Sequence, residues 1–279
     1  MGKLSSEEYW DSLYKPAVLE HKQFSFKEKI KALLITLFGK NFLRSYSDYL
    51  LWEKIYKKYL PKTKGLKFLE IGSAPGENLV RFSQTFGYVP YGIEYSESGT
   101  ELNRKMFRLH NLDPANVIHA DFLSEQLHNQ HKESFDIVYS RGFIEHFTDV
   151  DAVIDKHLNL LAKGGRLVVI IPRIKGVNHA LALFFHKEVL SMHNLSIMEK
   201  KEFSKIFNRV DLSTLFCDYY GVFTFDLFNT KPASPLRFVL KLCNILQLVL
   251  NLIFHMFFRN KRAETRMFSP YLLYIGIKK

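Results

Sequence analysis

Between residues 66 and 172, short apolar segments alternate with amphipathic ones, and this alternation is the strongest constraint on the fold. The apolar segments have the length and composition of buried strands, and the segments between them have helical periodicity. Strands are predicted at Lys67–Ile71, Val89–Glu94, Val117–Ala120, Ser134–Ser140 and Arg166–Ile171. Helices are predicted over about 76–86, 98–110 and 149–162. This pattern is typical of parallel βαβ units whose helices cover both faces of a sheet.

Local signals mark where several elements begin and end. They are a helix cap at Thr148 or Asp149, a helix-ending pair Gly164-Gly165, a strand stop at Pro172 and a capping box of Ser196 with Glu199. The capping box predicts a helix to about residue 208, and late strands are predicted over 210–217 and 271–277. We therefore expect a doubly wound α/β fold with a mostly parallel, Rossmann-like sheet of about seven strands.

The formal net charge of +11 is concentrated in two flanks outside this repeat. Residues 1–65 contain 13 Lys and Arg against 7 Asp and Glu, and residues 235–279 contain 8 against 1, whereas residues 66–234 contain 18 against 20. Basic flanks indicate lipid headgroups or nucleic-acid phosphates as partners, or simply a basic soluble surface. We predict a helical cap over residues 1–65 and an α/β domain over 66–279, with a helical insertion at 230–265 before the last strand.

The N-terminal flank predicts two helices. In the first, apolar residues share one helical face, and basic residues lie largely elsewhere. The apolar residues are Ile30, Leu33, Leu34, Leu37, Phe38 and Phe42. The second helix runs over about 48–60 and ends at Pro61.

The C-terminal flank contains a long apolar segment, Leu236–Phe258. Polar residues interrupt it every three or four positions, at Arg237, Lys241, Asn244, Gln247, Asn251 and His255. This spacing draws one narrow polar stripe along a helix, and further basic residues follow up to residue 262. Because Arg and Lys are costly at the centre of a bilayer, we expect a helix in a membrane interface, or one roofing an apolar substrate pocket. A helix buried by the protein's own fold, or a dimer contact, is the alternative.

The cysteines and the first residues predict where the protein is located. Cys217 and Cys243 have neither a disulfide framework nor metal-ligand spacing. Residues 1–20 lack the apolar run of a secretion signal. We expect a reducing, cytoplasmic location, with peripheral contact to the inner membrane face through residues 236–262.

A strand–turn–helix segment carries the strongest chemical signal. It runs from Phe68 to Glu77, and in its turn Gly72 and Gly76 would let the backbone approach a ligand closely. Backbone amides at the start of the helix can then receive a carboxylate. A dinucleotide site would need glycines two and five residues after Gly72, where Ala74 and Glu77 stand, so that class of site is disfavoured.

Glu70, Gly72 and Gly76 together resemble the first motif of the class I S-adenosylmethionine-dependent methyltransferases. Two further acidic residues at strand ends, Glu94 and Asp121, match family positions that accept hydrogen bonds from the ribose hydroxyls and from the adenine amino group. The resemblance implies S-adenosylmethionine as cofactor. It implies cofactor contacts from Glu70, Gly72, Ser73, Gly76, Glu94, Tyr95, Asp121, Phe122 and Ser140.

The segment after the fourth strand, residues 140–147, resembles that of small-molecule methyltransferases, which frequently ends in Glu-His. His146 is a candidate base for the acceptor's proton, and Glu145 a candidate to orient it. In some quinone-ring O-methyltransferases that resemble this segment, carboxylates and a histidine hold a divalent metal ion. Structural packing, base catalysis and metal binding are all open for His146, although no residue is predicted as a metal ligand.

The N-terminal segment Glu8–Asp11 with Tyr14 resembles the part that folds over the cofactor in many members of the family; a helix that packs its aromatic side chains on the core is the alternative. The motif of adenine N-methyltransferases, Asp or Asn followed by Pro-Pro and an aromatic residue, is absent, which argues against a DNA base as acceptor.

We expect O- or N-methylation of a small, hydrophobic or lipid-linked acceptor. The alternatives are an RNA or protein methyltransferase and a catalytically inactive, cofactor-binding regulator.

Overall fold

The computed structural model describes residues 2–19, 45–225, 227–228, 236–258 and 263–279. At its centre is a seven-stranded sheet with the strand order β3-β2-β1-β4-β5-β7-β6. The strands are β1 (Lys67–Ile71), β2 (Val89–Glu94), β3 (Val117–His119), β4 (Phe135–Arg141), β5 (Leu161–Pro172), β6 (Leu212–Tyr220) and β7 (Tyr271–Lys278). β7 runs antiparallel to β5 and β6, and the other paired strands are parallel. The predicted doubly wound, mostly parallel sheet is confirmed.

Helices precede the sheet and connect its strands. After α1 (Glu7–Leu19), a second helical stretch comprises α2 (Tyr46–Tyr49), a π-helical segment (Leu50–Tyr56) and α3 (Lys57–Tyr59). The remaining α-helices are α4 (Glu77–Phe86), α5 (Glu97–Leu109), α6 (Glu125–Gln130), α7 (Val150–Leu160), α8 (Val177–Phe185), α9 (Lys200–Ile206) and α10 (Leu236–Phe257). Short 3₁₀ turns occur at Pro114–Asn116, Ile144–His146, Lys187–Leu190 and Leu195–Ile197.

Both faces of the sheet are buried, because successive side chains of a strand point to opposite sides. In β1, Phe68 packs in one hydrophobic cluster with Trp52 of the π-helical segment, while Leu69 packs in the other with Ile154 of α7. The two clusters account for the near-continuous apolar strands. With its faces covered, the sheet presents its strand ends to ligands.

One predicted boundary is wrong, at Gly164-Gly165. α7 already ends at Leu160, and β5 begins at Leu161, which pairs with Phe135. The pairing with β4 then shifts register before Arg166, and Gly164 has a φ of 75° within this irregular stretch. The glycine pair therefore forms part of a bulge in β5 and does not end a helix.

The predicted capping box of Ser196 and Glu199 is also wrong. Ser196 lies in a 3₁₀ turn capped by Asn194, and Glu199 precedes α9 without a side-chain capping bond. The Glu199 carboxylate instead accepts hydrogen bonds from Arg173, at 3.0 Å, and from Arg266, at 3.1 Å. The Arg173 side chain is buried, and a buried cation without a partner is costly. Pairing with Arg173 therefore stabilises the fold more than a capping bond from Glu199 would.

Other boundaries shift by a few residues. β6 begins at Leu212 rather than at Val210, which is exposed, and extends to Tyr220. The helix predicted over 48–60 is present over 46–59 and contains the π-helical segment. The helix predicted from the apolar face Ile30 to Phe42 lies outside the described residues.

Candidate functional site

A pocket opens at the carboxyl edge of the sheet, where β1, β2 and β4 end. Its walls come from the turn after β1, the ends of β2 and β3, the loop after β4 and the N-terminal segment around α1. Six residues predicted from the sequence line it: Gly72, Glu94, Tyr95, Asp121, Phe122 and His146. Residues separated by more than seventy positions in the sequence thus meet in one cavity.

The turn after β1 keeps backbone close to the pocket. Gly72 has a φ of 68°, and a Cβ at this position would lie 3.3 Å from the Phe143 ring. Gly76 has a φ of 93° and immediately precedes α4. Both glycines adopt the left-handed backbone conformation that other residues rarely take. The predicted glycine turn is therefore present, with Gly72 in the pocket wall.

We expect Gly76→Ala to lower the free energy of unfolding by about 2 kcal/mol or more, since it combines left-handed strain with overpacking. A Cβ at Gly76 would lie 2.3 Å from the Oδ1 atom of Asn103, which is buried. Gly65→Ala is the matched control, because Gly65 has a φ of 78° but no atom within 4 Å of the added Cβ. Denaturant unfolding should show a clearly smaller loss for the control, and equal losses would contradict the clash.

Glu94 ties the end of β2 to this turn. Its Oε2 accepts a hydrogen bond from the Ala74 N–H at 3.0 Å, and its Oε1 accepts from the Tyr95 and Ser96 N–H groups, each at 3.0 Å. Burial raises the pKa of Glu94, and these backbone donors oppose the rise. Because a carboxylate has about four acceptor positions, Oε2 retains room for about one further donor, such as a hydroxyl.

Asp121 lies at the rim of the pocket, directly after β3. Its Oδ2 pairs with the ammonium group of Lys3 at 2.8 Å, and its Oδ1 accepts from the Leu123 N–H at 2.9 Å. The same Lys3 ammonium lies 4.2 Å from the centre of the Tyr95 ring. Phe122 adds an apolar surface to the pocket wall. The N-terminus thus contributes a cation that the sequence analysis did not single out.

Glu70 is buried beneath the turn. The Asn78 amide donates to its Oε1 at 3.0 Å, and its Oε2 has no hydrogen-bond partner among the described residues. Burial raises the pKa of Glu70 to about 8, although the Asn78 bond and the charge of Arg141 oppose the rise. An unpartnered buried carboxylate oxygen is costly, and it suits a cationic group that arrives with a ligand.

Ser73 and Ser140, both predicted to contact the cofactor, have buried hydroxyls with partners inside the protein. The Ser73 Oγ accepts from the Asn103 amide at 2.6 Å. The His157 Nδ1 faces the Val153 carbonyl, so its Nε2 is the acceptor for the Ser140 hydroxyl at 3.0 Å. Neither serine lines the pocket, and their cofactor contacts stay predictions.

His146 lines the pocket at the loop after β4. Its Nδ1 lies 2.9 Å from the Met192 carbonyl oxygen, which can only accept, so Nδ1 carries the proton and Nε2 has the free lone pair. Burial lowers the pKa of His146 to about 4, with a further contribution from His193. At neutral pH the ring is uncharged and able to accept a proton.

Glu145 is fully buried beside His146. Its Oε1 lies 4.0 Å from the His146 Nε2, and neither carboxylate oxygen has a hydrogen-bond partner among the described residues. Burial raises the pKa of Glu145 to about 8. With His193, these residues place three potential metal-ligand atoms within 4.8 Å of one another. The carboxylate and two imidazoles could hold a divalent ion, so the role of His146 stays a prediction.

The N-terminal segment closes one side of the pocket. Tyr14 and Trp10 line it, with the Trp10 ring packed edge-on against His146 at a centroid distance of 5.3 Å. Asp11 anchors α1 to the start of α5, because its Oδ1 accepts from the Ser96 hydroxyl at 2.9 Å and from the Ser98 N–H at 3.0 Å. A ligand in the pocket would therefore be shielded from water on this side.

Arg141 is the main functional candidate that the sequence analysis missed. It ends β4, lines the pocket and has its guanidinium carbon 5.4 Å from the centre of the Tyr271 ring. A strand-ending arginine at a carboxyl edge was the available signal, since such ends bind ligands. Its tyrosine partner is 130 positions away in the sequence, and no local pattern connects the two.

Comparison with protein families and solved structures agrees with this geometry. Residues 41–219, well over half of the chain, match the profile of a family described as a methyltransferase domain. A search of curated protein sequences found no significant match.

Several solved structures share the fold at low sequence identity. A geranyl diphosphate C-methyltransferase from Streptomyces coelicolor, bound to Mg²⁺, geranyl diphosphate and S-adenosyl-L-homocysteine, is 14% identical with a TM-score of 0.55, over 95% of this chain and 88% of its own. A putative sarcosine dimethylglycine methyltransferase from Galdieria sulphuraria is 13% identical with a TM-score of 0.52, over 84% and 85%. A phosphoethanolamine N-methyltransferase from Haemonchus contortus, bound to phosphomonomethylethanolamine and S-adenosylhomocysteine, is 16% identical with a TM-score of 0.51, over 88% of this chain and 56% of its own.

Proposed function

The chain belongs to the methyltransferase domain family, and on that premise we propose that it transfers a methyl group from S-adenosylmethionine to an oxygen or nitrogen of a small hydrophobic acceptor. One observation carries the proposal. Glu94, a carboxylate with a free acceptor position, lines an aromatic pocket and accepts a hydrogen bond from the glycine turn after β1. Glu70, a carboxylate with an unpartnered oxygen, is buried just before that turn, outside the pocket lining.

The residues at the turn fit the cofactor. Glu94 would hold a ribose hydroxyl, and Asp121 with Phe122 would hold the adenine. Glu70 would receive the positively charged amino group, since its Oε2 is otherwise unpartnered. Gly72 leaves room where a side chain would meet Phe143. S-adenosylmethionine, when bound, supplies a methyl group on a positively charged sulfur, so the protein needs mainly to align it with the acceptor.

Aromatic side chains favour an apolar acceptor. Trp10, Phe143 and Phe147 surround His146 in the pocket, and they would exclude water from the reacting groups. Among the proteins of similar fold, one binds geranyl diphosphate, a molecule with a hydrophobic chain. We favour a hydrophobic or lipid-linked acceptor.

His146 is the residue that we assign to proton removal from the acceptor. The ring lines the pocket and is uncharged at neutral pH, with its proton on Nδ1 and the lone pair of Nε2 free to accept. Glu145, whose Oε1 lies 4.0 Å from the His146 Nε2, would orient the ring; with a pKa of about 8 it is mainly uncharged at neutral pH. The low pKa makes His146 a weak base, which suits an acceptor whose proton becomes acidic only as the methyl group is transferred.

Labelled methyl transfer into lysate fractions tests the proposed acceptor class. The protein is incubated with S-adenosylmethionine carrying a radioactive methyl group, and the label is followed in organic-extractable, small polar, RNA and protein fractions. We expect label in the organic-extractable fraction. Label confined to RNA or protein would contradict the proposal in favour of macromolecular methylation. Cofactor binding without labelling of any fraction would favour a catalytically inactive regulator.

We expect the affinity for S-adenosylmethionine to increase as the pH rises from 6 to 7.5. Glu70 has a pKa of about 8, so it is mainly protonated in the free protein over this range, whereas a bound ammonium favours the ionised form. The dissociation constant should then fall by up to about tenfold per pH unit. Titration calorimetry of Glu70→Gln should show a weaker affinity that hardly changes with pH. An equally steep dependence in this variant would remove Glu70 from the amino-group site.

A further inference from the structure

α10 turns two residues of its polar stripe inward and leaves a broad apolar side exposed. Gln247 and Asn251 are only 3% and 5% exposed. The apolar residues on the outer side are 39–68% exposed: Phe238, Val239, Leu242, Ile245, Leu246, Leu248, Val249, Ile253, Met256 and Phe257. A surface helix of a soluble protein normally has the opposite arrangement.

The inward side is fixed by hydrogen bonds. The Gln247 Oε1 accepts from the Phe225 N–H at 3.0 Å, and its amide nitrogen donates to the Phe223 carbonyl at 3.4 Å. The Asn251 Oδ1 accepts from the Tyr46 N–H at 3.3 Å, and the Tyr46 hydroxyl donates to the carbonyl of Phe258 at 2.6 Å. Two buried polar side chains therefore set the rotation of the helix, and its apolar side faces outward as a consequence.

The outward side forms a continuous stripe. Phe238, Leu242, Ile245, Val249 and Ile253 follow one another at intervals of three or four residues, the spacing of one helical face. The part of the chain that the structure describes leaves this stripe uncovered. An uncovered apolar patch of this length indicates a surface that contacts a membrane or another protein.

Charge distinguishes between these two partners. Arg237 and Lys241 are exposed on the first turns of α10, and the segment that follows the helix adds Arg259, Lys261 and Arg262 in sequence. Residues 235–279 contain 8 basic residues and a single acidic one. A second copy of the chain would bring the same positive charge to the contact, whereas anionic lipid headgroups complement it.

The insertion that contains α10 joins the sheet at its pocket end. β6 ends at Tyr220 and β7 begins at Tyr271, and these two residues pair with each other. Tyr271 also pairs with Pro172, the last residue of β5. The chain therefore leaves the sheet after Tyr220 and re-enters it at Tyr271, both at the edge where the pocket opens, and Arg141 of the pocket wall contacts the Tyr271 ring.

We propose that α10 docks this protein on an anionic lipid bilayer, lying in the membrane interface with its apolar stripe among the acyl chains. The docking surface would bring the pocket close to a hydrophobic acceptor in the membrane, and this role rests on the proposed function. α10 is apolar enough to cross a bilayer, with a mean hydropathy of 1.7 over its most apolar window. Spanning would break the hydrogen bonds of Gln247 and Asn251, so the interfacial orientation is the one compatible with the fold.

Vesicle co-sedimentation of the full chain tests the docking surface. We expect binding to vesicles of phosphatidylglycerol and phosphatidylcholine, and weaker binding to phosphatidylcholine alone. The triple variant Leu242→Ser, Ile245→Ser and Val249→Ser should reduce partitioning by about tenfold or more, because it removes apolar area from the interface. The matched control Leu109→Ser with Val210→Ser changes exposed apolar residues elsewhere and should bind as the wild type does.

Thermal unfolding and S-adenosylmethionine affinity are measured on the same preparations. If the triple variant is unstable, Phe238→Ser with Met256→Ser replaces it. Equal partitioning of wild type and folded variants, or no binding of the wild type to either vesicle, would overturn the proposal. A wild-type dimer in lipid-free solution that the triple variant cannot form would also overturn the proposal, because a second copy of the chain would then cover the apolar stripe. Cofactor binding and methyl transfer to a soluble acceptor are measured without vesicles. If these two assays fail, the proposed function is wrong, whatever the vesicle result.

Discussion

Glu94→Ala is expected to weaken S-adenosylmethionine binding by about 2–3 kcal/mol, or about 30- to 150-fold in the dissociation constant. Two losses combine in this variant. The carboxylate would no longer accept a hydroxyl of the ligand, and the N–H groups of Ala74, Tyr95 and Ser96 would lose their common acceptor. The turn that shapes the pocket would then be less well ordered in the free protein. Titration calorimetry measures the change directly.

Asp113→Ala is the matched control for this prediction. Asp113 is also a carboxylate that accepts a backbone hydrogen bond, from the Ala115 N–H at 2.9 Å, but it lies outside the pocket. We expect its removal to leave cofactor affinity unchanged. Glu94→Gln should fall between wild type and alanine, since one oxygen acceptor remains. If Glu94→Ala bound the cofactor as tightly as the wild type while remaining folded, the assignment of Glu94 to the ribose would be wrong.

His146→Ala is expected to reduce turnover by about 10²- to 10⁴-fold while leaving cofactor affinity within a few-fold of the wild type. The ring accepts the proton in our proposal, and it lies in the acceptor part of the pocket beside Trp10. Single-turnover assays with saturating donor separate this effect from binding. A variant with wild-type turnover would remove His146 from the reaction.

Two controls distinguish the base from other roles of His146. His128→Ala removes a buried histidine outside the pocket, whose Nε2 faces the Phe122 carbonyl at 2.7 Å, and should affect stability more than turnover. Treatment with a chelator tests the metal-binding alternative. Activity that survives chelation is expected for a base. Activity lost with the chelator and restored by a divalent ion would assign Glu145, His146 and His193 to a metal site instead.

Most of the sheet could be predicted from local pattern because its strands are short, apolar and separated by helical periodicity. β1 and β2 match the prediction residue for residue. Asp149 caps α7 as expected, accepting from the Ala152 N–H at 3.1 Å. In each case the determining contacts are near in sequence, so a local pattern contains the necessary information.

Predictions failed where a distant contact outweighs a local preference. Glu199 pairs with buried Arg173 instead of capping a helix, and Gly164 serves a bulge that depends on the partner strand. The polar stripe of α10 was visible in the sequence, but the periodicity could not tell which side faces the protein. Only the hydrogen bonds of Gln247 and Asn251 to residues over 20 and 200 positions away decide that the apolar side is exposed.

In the pocket, too, residues fixed by local pattern could be predicted and residues fixed by distant contacts could not. Glu70, Glu94 and Asp121 lie at or within two residues of the ends of successive parallel strands, and the topology brings such ends to one edge of the sheet. Lys3 and His193 join the site through turns and loops whose paths no periodicity describes. Residues that belong to the fold's repeat could therefore be predicted, and residues that approach it from outside could not.

The most direct measurement of the central claim is calorimetric titration of the purified 279-residue chain with S-adenosylmethionine and with S-adenosylhomocysteine. We predict one site per chain for each ligand, with affinity that is lost or strongly weakened in Glu94→Ala and unchanged in Asp113→Ala. Absence of binding by a folded wild-type protein to either ligand would contradict the assignment of this pocket to the methyl donor.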